Sequence, residues 1–75
     1  MKKTELIALI EKEIEAQEAM IAKGRPASSR MPLIERAKNL KERALILSDE
    51  IVSKRGLGDK TMDSVERTIV WCENN

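Results

Sequence analysis

The residues that could do chemistry in this chain are one cysteine and a set of carboxylates, because the sequence contains no histidine. Histidine is the usual general acid or base at neutral pH. Cys72 has no histidine to deprotonate it, and its spacing from Val65 and Ile69 places it on an apolar helix face. The sequence therefore predicts a buried structural thiol at this position and not a nucleophile.

Three carboxylates share one helix face, since Glu11, Glu15 and Glu18 recur at steps of four and three. A face of this kind could in principle hold magnesium. All-α nucleotide pyrophosphatases add a second acidic pair on the next helix, but Asp49 and Glu50 are adjacent and do not repeat the Glu-x-x-Glu spacing. We expect a solvated acidic face with no metal, no cofactor and no catalytic residue. A metal-dependent nucleotide hydrolase is the last-ranked function.

Nucleic-acid binding is the stronger competitor. The net charge is only +1, from 14 basic and 13 acidic residues, so no global basic field attracts a polyanion. A recognition helix of a helix-turn-helix would begin at Thr61, yet it carries Asp63 and Glu66 against Arg67 alone. Because affinity for duplexes comes largely from neutralising phosphates, a nucleic-acid-binding regulator is the alternative function and not the first.

The elements that position these residues follow from two apolar stripes at helical spacing. The upstream stripe comprises Ile7, Ile10, Ile14, Gln17 and Ile21, and the downstream stripe comprises Leu33, Ala37, Leu40, Ala44, Leu47 and Ile51. They predict an all-α fold: a long antiparallel helical hairpin plus a short third C-terminal helix. The single domain spans 1–75, with helices at 4–23, 32–55 and 61–73, a loop at 24–31 and a turn at 56–60.

Breakers and charges support this division. Gly24 and Gly56 follow basic residues at two predicted helix ends, while Ser28 or Ser29 would cap the second helix with Pro32 in its first turn. Residues 5–22 carry five glutamates against one lysine, and residues 33–55 carry six bases against four acids. An acidic helix beside a basic one favours their mutual pairing.

The apolar turn Ala44–Leu47 surrounds the whole circumference of its helix, whereas one neighbour covers a stripe of only about 100°. We therefore expect a homodimer that forms a helical bundle, parallel or antiparallel, with the third helix packed on its own hairpin or swapped. Gln17 either reaches water or fixes the register of an interface. The predicted core and dimer seam comprises Ile7, Ile10, Ile14, Ile21, Leu40, Leu45, Ile46, Leu47 and Ile51.

Trp71 is the sole aromatic residue and is either a core plug or an anchor for a partner. The candidate partner contacts are Trp71 and Val70, with Arg25, Ser28 and Arg30 in the linker. No apolar run reaches the length of a signal peptide or of a membrane span, and a lone cysteine fits a reducing cytoplasm. We expect a small non-enzymatic protein that masks or bridges a macromolecular partner as an inhibitor, adaptor or regulator, a class common in phages and mobile elements.

Overall fold

The computed structural model describes residues 1–75 as four helices without strands. In chain order they are α1 (Lys3–Ala22), α2 (Ala27–Leu45), α3 (Asp49–Arg55) and α4 (Met62–Asn74). The predicted all-α class is confirmed. The predicted number of three helices is wrong, because the predicted helix 32–55 is divided into two helices. None of the four combines the length and apolar character that crossing a bilayer requires.

α1 ends in a glycine-dependent cap. Gly24 has φ +94°, a left-handed conformation that side chains with a Cβ rarely adopt. The N–H of Arg25 donates to the carbonyl of Met20 and the N–H of Gly24 to that of Ile21, both at 3.0 Å. This pair of bonds is a Schellman motif, which satisfies the last carbonyls and turns the chain toward α2.

The connection between α1 and α2 is shorter than the predicted loop 24–31, because α2 already begins at Ala27. Pro26 is the extended residue before the helix, and the Ser29 hydroxyl donates to its carbonyl at 3.0 Å. Neither Ser28 nor Ser29 is the N-cap, and Pro32 lies inside α2 and not in its first turn. Proline lacks an N–H, so the exposed Ser28 loses the usual helical partner of its carbonyl.

The predicted helix 32–55 is interrupted at residues 46–48. Ser48 adopts an extended conformation with ψ 149°, and its side chain accepts a hydrogen bond from the N–H of Ile51. Asp49 and Glu50 follow in the first turn of α3, where negative charge interacts favourably with the helix dipole. Ser48 is thus a strong N-cap that competes with continuation of α2, and the apolar periodicity hides this break.

Three side-chain contacts join the two long helices: Lys3 Nζ to the Leu45 carbonyl at 2.6 Å, Glu11 to Lys41 at 3.1 Å, and Gln17 to Arg30 at 3.2 Å. In these three pairs the residue number in α2 decreases as the residue number in α1 increases. Half-buried Gln17 also donates to Glu13 at 2.8 Å, so it forms a polar contact between helices of one chain.

The hydrophobic core lies where all four helices meet. Its buried members are Leu6, Ile10, Ala37, Leu40, Ala44, Leu47, Val52, Val65, Ile69 and Cys72. The molecule measures 41 × 19 × 18 Å, and no member of this core lies between residues 11 and 36. In that stretch only Ile34 is buried, so the end of α1 and α2 around Gly24 is a two-helix extension beyond this cluster.

The predicted seam divides into three groups in the structure. Ile10, Leu40 and Leu47 are buried, whereas Ile7, Ile14, Ile21 and Ile51 are half-buried. Leu45 and Ile46 are 49% and 85% exposed, so they are not core within one chain, and their place in a dimer seam stays a prediction. Leu45 is rotated by about 100° from Ala44 and so lies off the buried face of α2, and Ile46 lies in the turn beyond the helix.

Candidate partner-binding surface

The outward face of α4 carries both residues predicted to contact a partner through the last helix. Val70 is 40% exposed, and Trp71 is half-buried where it packs against the edge of the core. Arg67 and Asn74 lie three and four residues from them, so the four side chains share one helix face. Trp71 is thus partly core and partly accessible, which leaves its indole available on one side.

Arg55, in the last turn of α3, covers part of that indole. Its guanidinium carbon lies 5.8 Å from the centre of the Trp71 ring, within the range of a cation–π interaction. α3 ends at Gly56, which has φ +70°. The short helix created by the Ser48 cap therefore brings a cation to the α4 surface.

An open cleft of about 610 Å³ runs along this surface. We call it the α4 cleft and define it by five of its lining residues: Arg55, Arg67, Val70, Trp71 and Asn74. Its walls are completed by Arg36, Asp63, Glu66 and Asn75, so they combine three arginines, two acids, two apolar side chains and two amides. Such a mixture of an aromatic group with arginines is characteristic of protein interfaces and unlike an enclosed catalytic pocket.

Two arginines of α2 hold α4 in place. Arg36 donates to Asp63 at 2.8 Å and to Glu66 at 2.6 Å, near the beginning of α4. Arg43 donates to both carboxylate oxygens of Glu73 near its end. These ion pairs are partly exposed, so each stabilises the fold modestly, but their geometry fixes how α4 lies on α2.

The same contacts shift the titration of their acids. The hydrogen bond from Arg36, with its positive charge, lowers the pKa of Asp63. The hydrogen bond from Arg43 likewise lowers the pKa of Glu73. Asp63 and Glu73 are therefore held in their charged form by the arginines of α2.

Arg55 and Arg67 differ from these arginines because neither forms an ion pair with a carboxylate. Arg67 donates one hydrogen bond, from Nη2 to the Ser64 hydroxyl at 3.3 Å. Ser64 is buried and also accepts from the N–H of Asp59 at 3.2 Å. Arg55 and Arg67 are thus oriented by neutral groups, and most of their N–H donors are free.

The remaining predicted contacts lie elsewhere. Arg25 and Ser28 are exposed around the connection of α1 to α2. Arg30 is half-buried against α1, where it donates to Gln17, and its Nε has no hydrogen-bond partner. None of the three lines the α4 cleft. Arg30 precedes Arg43 by 13 residues of continuous helix, about 20 Å, so the linker and the C-terminal turn of α4 form separate surfaces.

A second accessible apolar region lies at the turn between α2 and α3. We call residues 45–48 the α2–α3 corner, where Leu45 and Ile46 are the most exposed large apolar side chains of the chain. Ile46 borders an open groove of about 510 Å³ whose other apolar lining residues are Leu47, Ile51 and Cys72. At the α2–α3 corner, an exposed isoleucine therefore lies beside an apolar groove.

The residues considered for chemistry have ordinary structural surroundings. Cys72 is buried, its Sγ lies 3.8 Å from the carbonyl oxygen of Ile51, and burial raises the pKa of its thiol. Glu11 pairs with Lys41, whereas Glu15 and Glu18 are exposed. No three His, Cys, Asp or Glu side chains lie close enough together to hold a metal ion.

Sequence reasoning missed Arg55 and Arg67 as parts of this surface. The spacing of Arg67 from Trp71, four residues on one helix, could have placed them together. No spacing in the sequence could have indicated Arg55, because it precedes Trp71 by 16 residues and lies on a different helix. No protein-family model, no curated protein sequence and no solved structure matches this chain.

Proposed function

We propose that this protein is a non-enzymatic helical interaction module that contacts a macromolecular partner through the outer face of α4. The observation that carries the proposal is the accessibility of Val70 and Trp71 on a helix held by Arg36 and Arg43. Tryptophan and arginine are enriched among residues that dominate binding energy. A surface fixed before binding loses little conformational entropy when a partner docks.

The α1–α2 pair is the platform for this surface in our proposal. The three contacts that join the two helices, with falling positions on α2 as those on α1 rise, support an antiparallel hairpin. A hairpin of this length supports a rigid third layer without a large core. That matters because a chain of 75 residues buries on folding only about 60% of its unfolded surface, less than larger domains bury.

Self-association is the second part of the proposal. A homodimer joined through the α2–α3 corner would cover Leu45 and Ile46, which the single chain leaves accessible. A two-fold contact places the same corner on both sides, so each Ile46 can enter the groove beside Ile51 of the other copy. The dimer would then present two α4 clefts.

Binding with two clefts suits a protein that bridges or masks its partner, as an inhibitor, adaptor or regulator in the cytoplasm. A nucleic-acid partner is less favoured, because α4 itself carries Asp63, Glu66 and Glu73 against Arg67. Phosphate backbones are recognised mainly by accumulated positive charge, which this helix lacks. Small helical proteins without catalytic residues recur in phages and mobile elements, and it is this general class that our proposal resembles.

Self-association is tested by measuring absolute mass with light scattering during size exclusion over a wide range of concentration. We expect a dimer that Ile46→Ser converts to monomer, whereas Lys38→Ser on the exposed side of α2 has no effect. A monomer at every concentration would refute the dimer. A mass that rises on adding duplex DNA and falls with salt would put nucleic acid first.

Partner binding is tested with the protein immobilised and exposed to extracts, comparing the wild type with Trp71→Ala and with Lys38→Ala. A partner of the α4 face is retained by the wild type and by Lys38→Ala but lost by Trp71→Ala. Circular dichroism checks that each variant stays folded. Equal retention by all three proteins would show that the α4 face is not the contact.

A further inference from the structure

The α4 cleft holds two arginines, Arg55 and Arg67, that form no ion pair within the chain. We infer that the α4 cleft receives an acidic peptide segment of its partner, with carboxylates on Arg55 and Arg67 and an apolar side chain between them on Val70 and Trp71. The inference rests on the proposed function and adds the chemistry of the partner. It names a linear segment because the cleft is open along the α4 axis.

The acids nearest to the cleft are already engaged. Arg36 forms ion pairs with both Asp63, at 2.8 Å, and Glu66, at 2.6 Å. Both acids and Arg36 also line the cleft, so its side chains carry three positive and two negative charges, a net charge of +1, and Arg55 and Arg67 are the two arginines without an ion pair. A carboxylate from outside the chain would complete the pairing that the fold leaves open.

Both free cations are oriented for such a ligand. The guanidinium of Arg55 is fixed against the Trp71 ring, and that of Arg67 is tethered to the buried Ser64 hydroxyl. A guanidinium has five N–H donors in a planar arrangement that matches a carboxylate. Because Arg67 uses one donor within the chain, it can still bind a carboxylate with two parallel hydrogen bonds.

Apolar recognition lies beside the cations on the same face. Val70 is 40% exposed, and Trp71 offers the part of its ring that the core does not cover. A segment that alternates acidic and apolar residues would therefore satisfy the whole cleft. Nucleic acid fits less well, since two arginines neutralise few phosphates and Glu73 lies within the same turn of α4.

The sequence supplies its own reporter for the test. Trp71 is the only tryptophan and the chain has no tyrosine, so intrinsic fluorescence comes from the cleft alone. The probe is a blocked peptide of sequence Glu-Glu-Leu-Glu-Glu-Leu, titrated into the full chain at low salt. The matched peptides replace every Glu with Gln or with Lys, and a short oligothymidylate serves as the nucleic-acid probe.

We expect a saturable change in Trp71 fluorescence with the Glu peptide that weakens as salt is added. Arg55→Gln and Arg67→Gln should each raise its Kd by about fivefold or more, since each removes charge-assisted hydrogen bonds. Arg67→Lys keeps the charge and should retain part of the affinity. Lys38→Gln, an exposed cation outside the cleft, is the matched control and should bind as the wild type does.

Equal binding of the Glu and Gln peptides would overturn the inference while leaving an apolar interaction surface on α4 intact. Tighter binding of oligothymidylate would overturn it in favour of a nucleic acid. A response to none of the probes would also overturn it, and the capture experiment with Trp71→Ala would then decide separately whether α4 contacts a partner. If the fluorescence of the Ile46→Ser variant, which cannot dimerise through the α2–α3 corner, still changes on dilution of the protein alone, the occupant of the α4 cleft is a second copy and the inference is wrong.

Discussion

The guanidinium of Arg43 meets both carboxylate oxygens of Glu73, with Nη2 2.6 Å from Oε1 and Nε 2.9 Å from Oε2. This two-bond contact joins the last turns of α2 to the last turn of α4, two residues beyond Trp71. Together with the bonds of Arg36 near the start of α4, it determines how the outer face of that helix is presented. The orientation of the α4 cleft therefore depends on Asp63 and Glu73, whose carboxylates become protonated in acid.

Acid should weaken the fold through these contacts. The pKa values of Glu73 and Asp63 are lowered in the folded chain, so the folded chain binds fewer protons than the unfolded chain. The stability they contribute is complete above the ordinary pKa values of about 4 and is lost as pH falls through the lowered folded values. We expect the free energy of unfolding, measured with urea from neutral pH downward, to decline in this range.

The contribution of the two acids can be separated from that of the other carboxylates. A variant with Asp63→Asn and Glu73→Gln should show a flatter acid decline, while Glu18→Gln, which alters an exposed acid without an ion pair, should follow the wild type. Parallel curves for all three proteins would contradict the assignment of acid sensitivity to α4.

Leu40 and Leu33 occupy the same apolar stripe in the sequence, but the structure gives them different burial. Leu40 is 1% exposed and Leu33 is 40% exposed, since the buried position at this end of α2 is the neighbouring Ile34, which is 2% exposed. Leu40→Ala should lower the free energy of unfolding by about 2–5 kcal/mol, and Leu33→Ala by less than about 1 kcal/mol. Urea unfolding followed by circular dichroism measures both, and similar losses would show that the two leucines are equally buried.

Ser48→Ala distinguishes the interrupted helix from a continuous one by the sign of its effect. Loss of the N-cap bond to Ile51 should destabilise the protein by about 1 kcal/mol. If residues 32–55 formed one helix, alanine would be the better helix former and would stabilise it by about 0.5 kcal/mol. Ser53→Ala, at an exposed position within α3 where serine makes no hydrogen bond, is the control and should be neutral or slightly stabilising.

The Schellman motif at Gly24 makes alanine unfavourable there. Gly24→Ala must place a Cβ at φ +94° and should lower the free energy of unfolding by about 1–2 kcal/mol. Gly58→Ala adds the same methyl group into open space without a positive φ, so thermal unfolding should be unchanged or slightly raised. A loss of stability at Gly58 as large as that at Gly24 would refute the conformational explanation.

Local signals in the sequence accounted for most of the helices. The stripe through Ile10 and the stripe through Leu40 and Leu47 identified faces that are buried, because a helix buries residues at spacings of three and four. The ends at Gly24, Gly56 and Thr61 were also readable, since caps depend on backbone conformations that few residues favour. The same local rules did not predict the helix break at Ser48, because this N-cap residue lies within a regular spacing of apolar residues that is typical of one continuous helix.

The sequence by itself determined that the chain is helical and where its strongest helix caps lie, because periodicity and capping act within a few residues. Only the tertiary structure decided that Ile46 is exposed, that Leu40 is core and Leu33 is not, and that Arg55 lies on Trp71. These outcomes depend on which helix surfaces meet after the turn at Ser48. Contacts between distant segments are set by the packing of whole helices, and no local spacing encodes them.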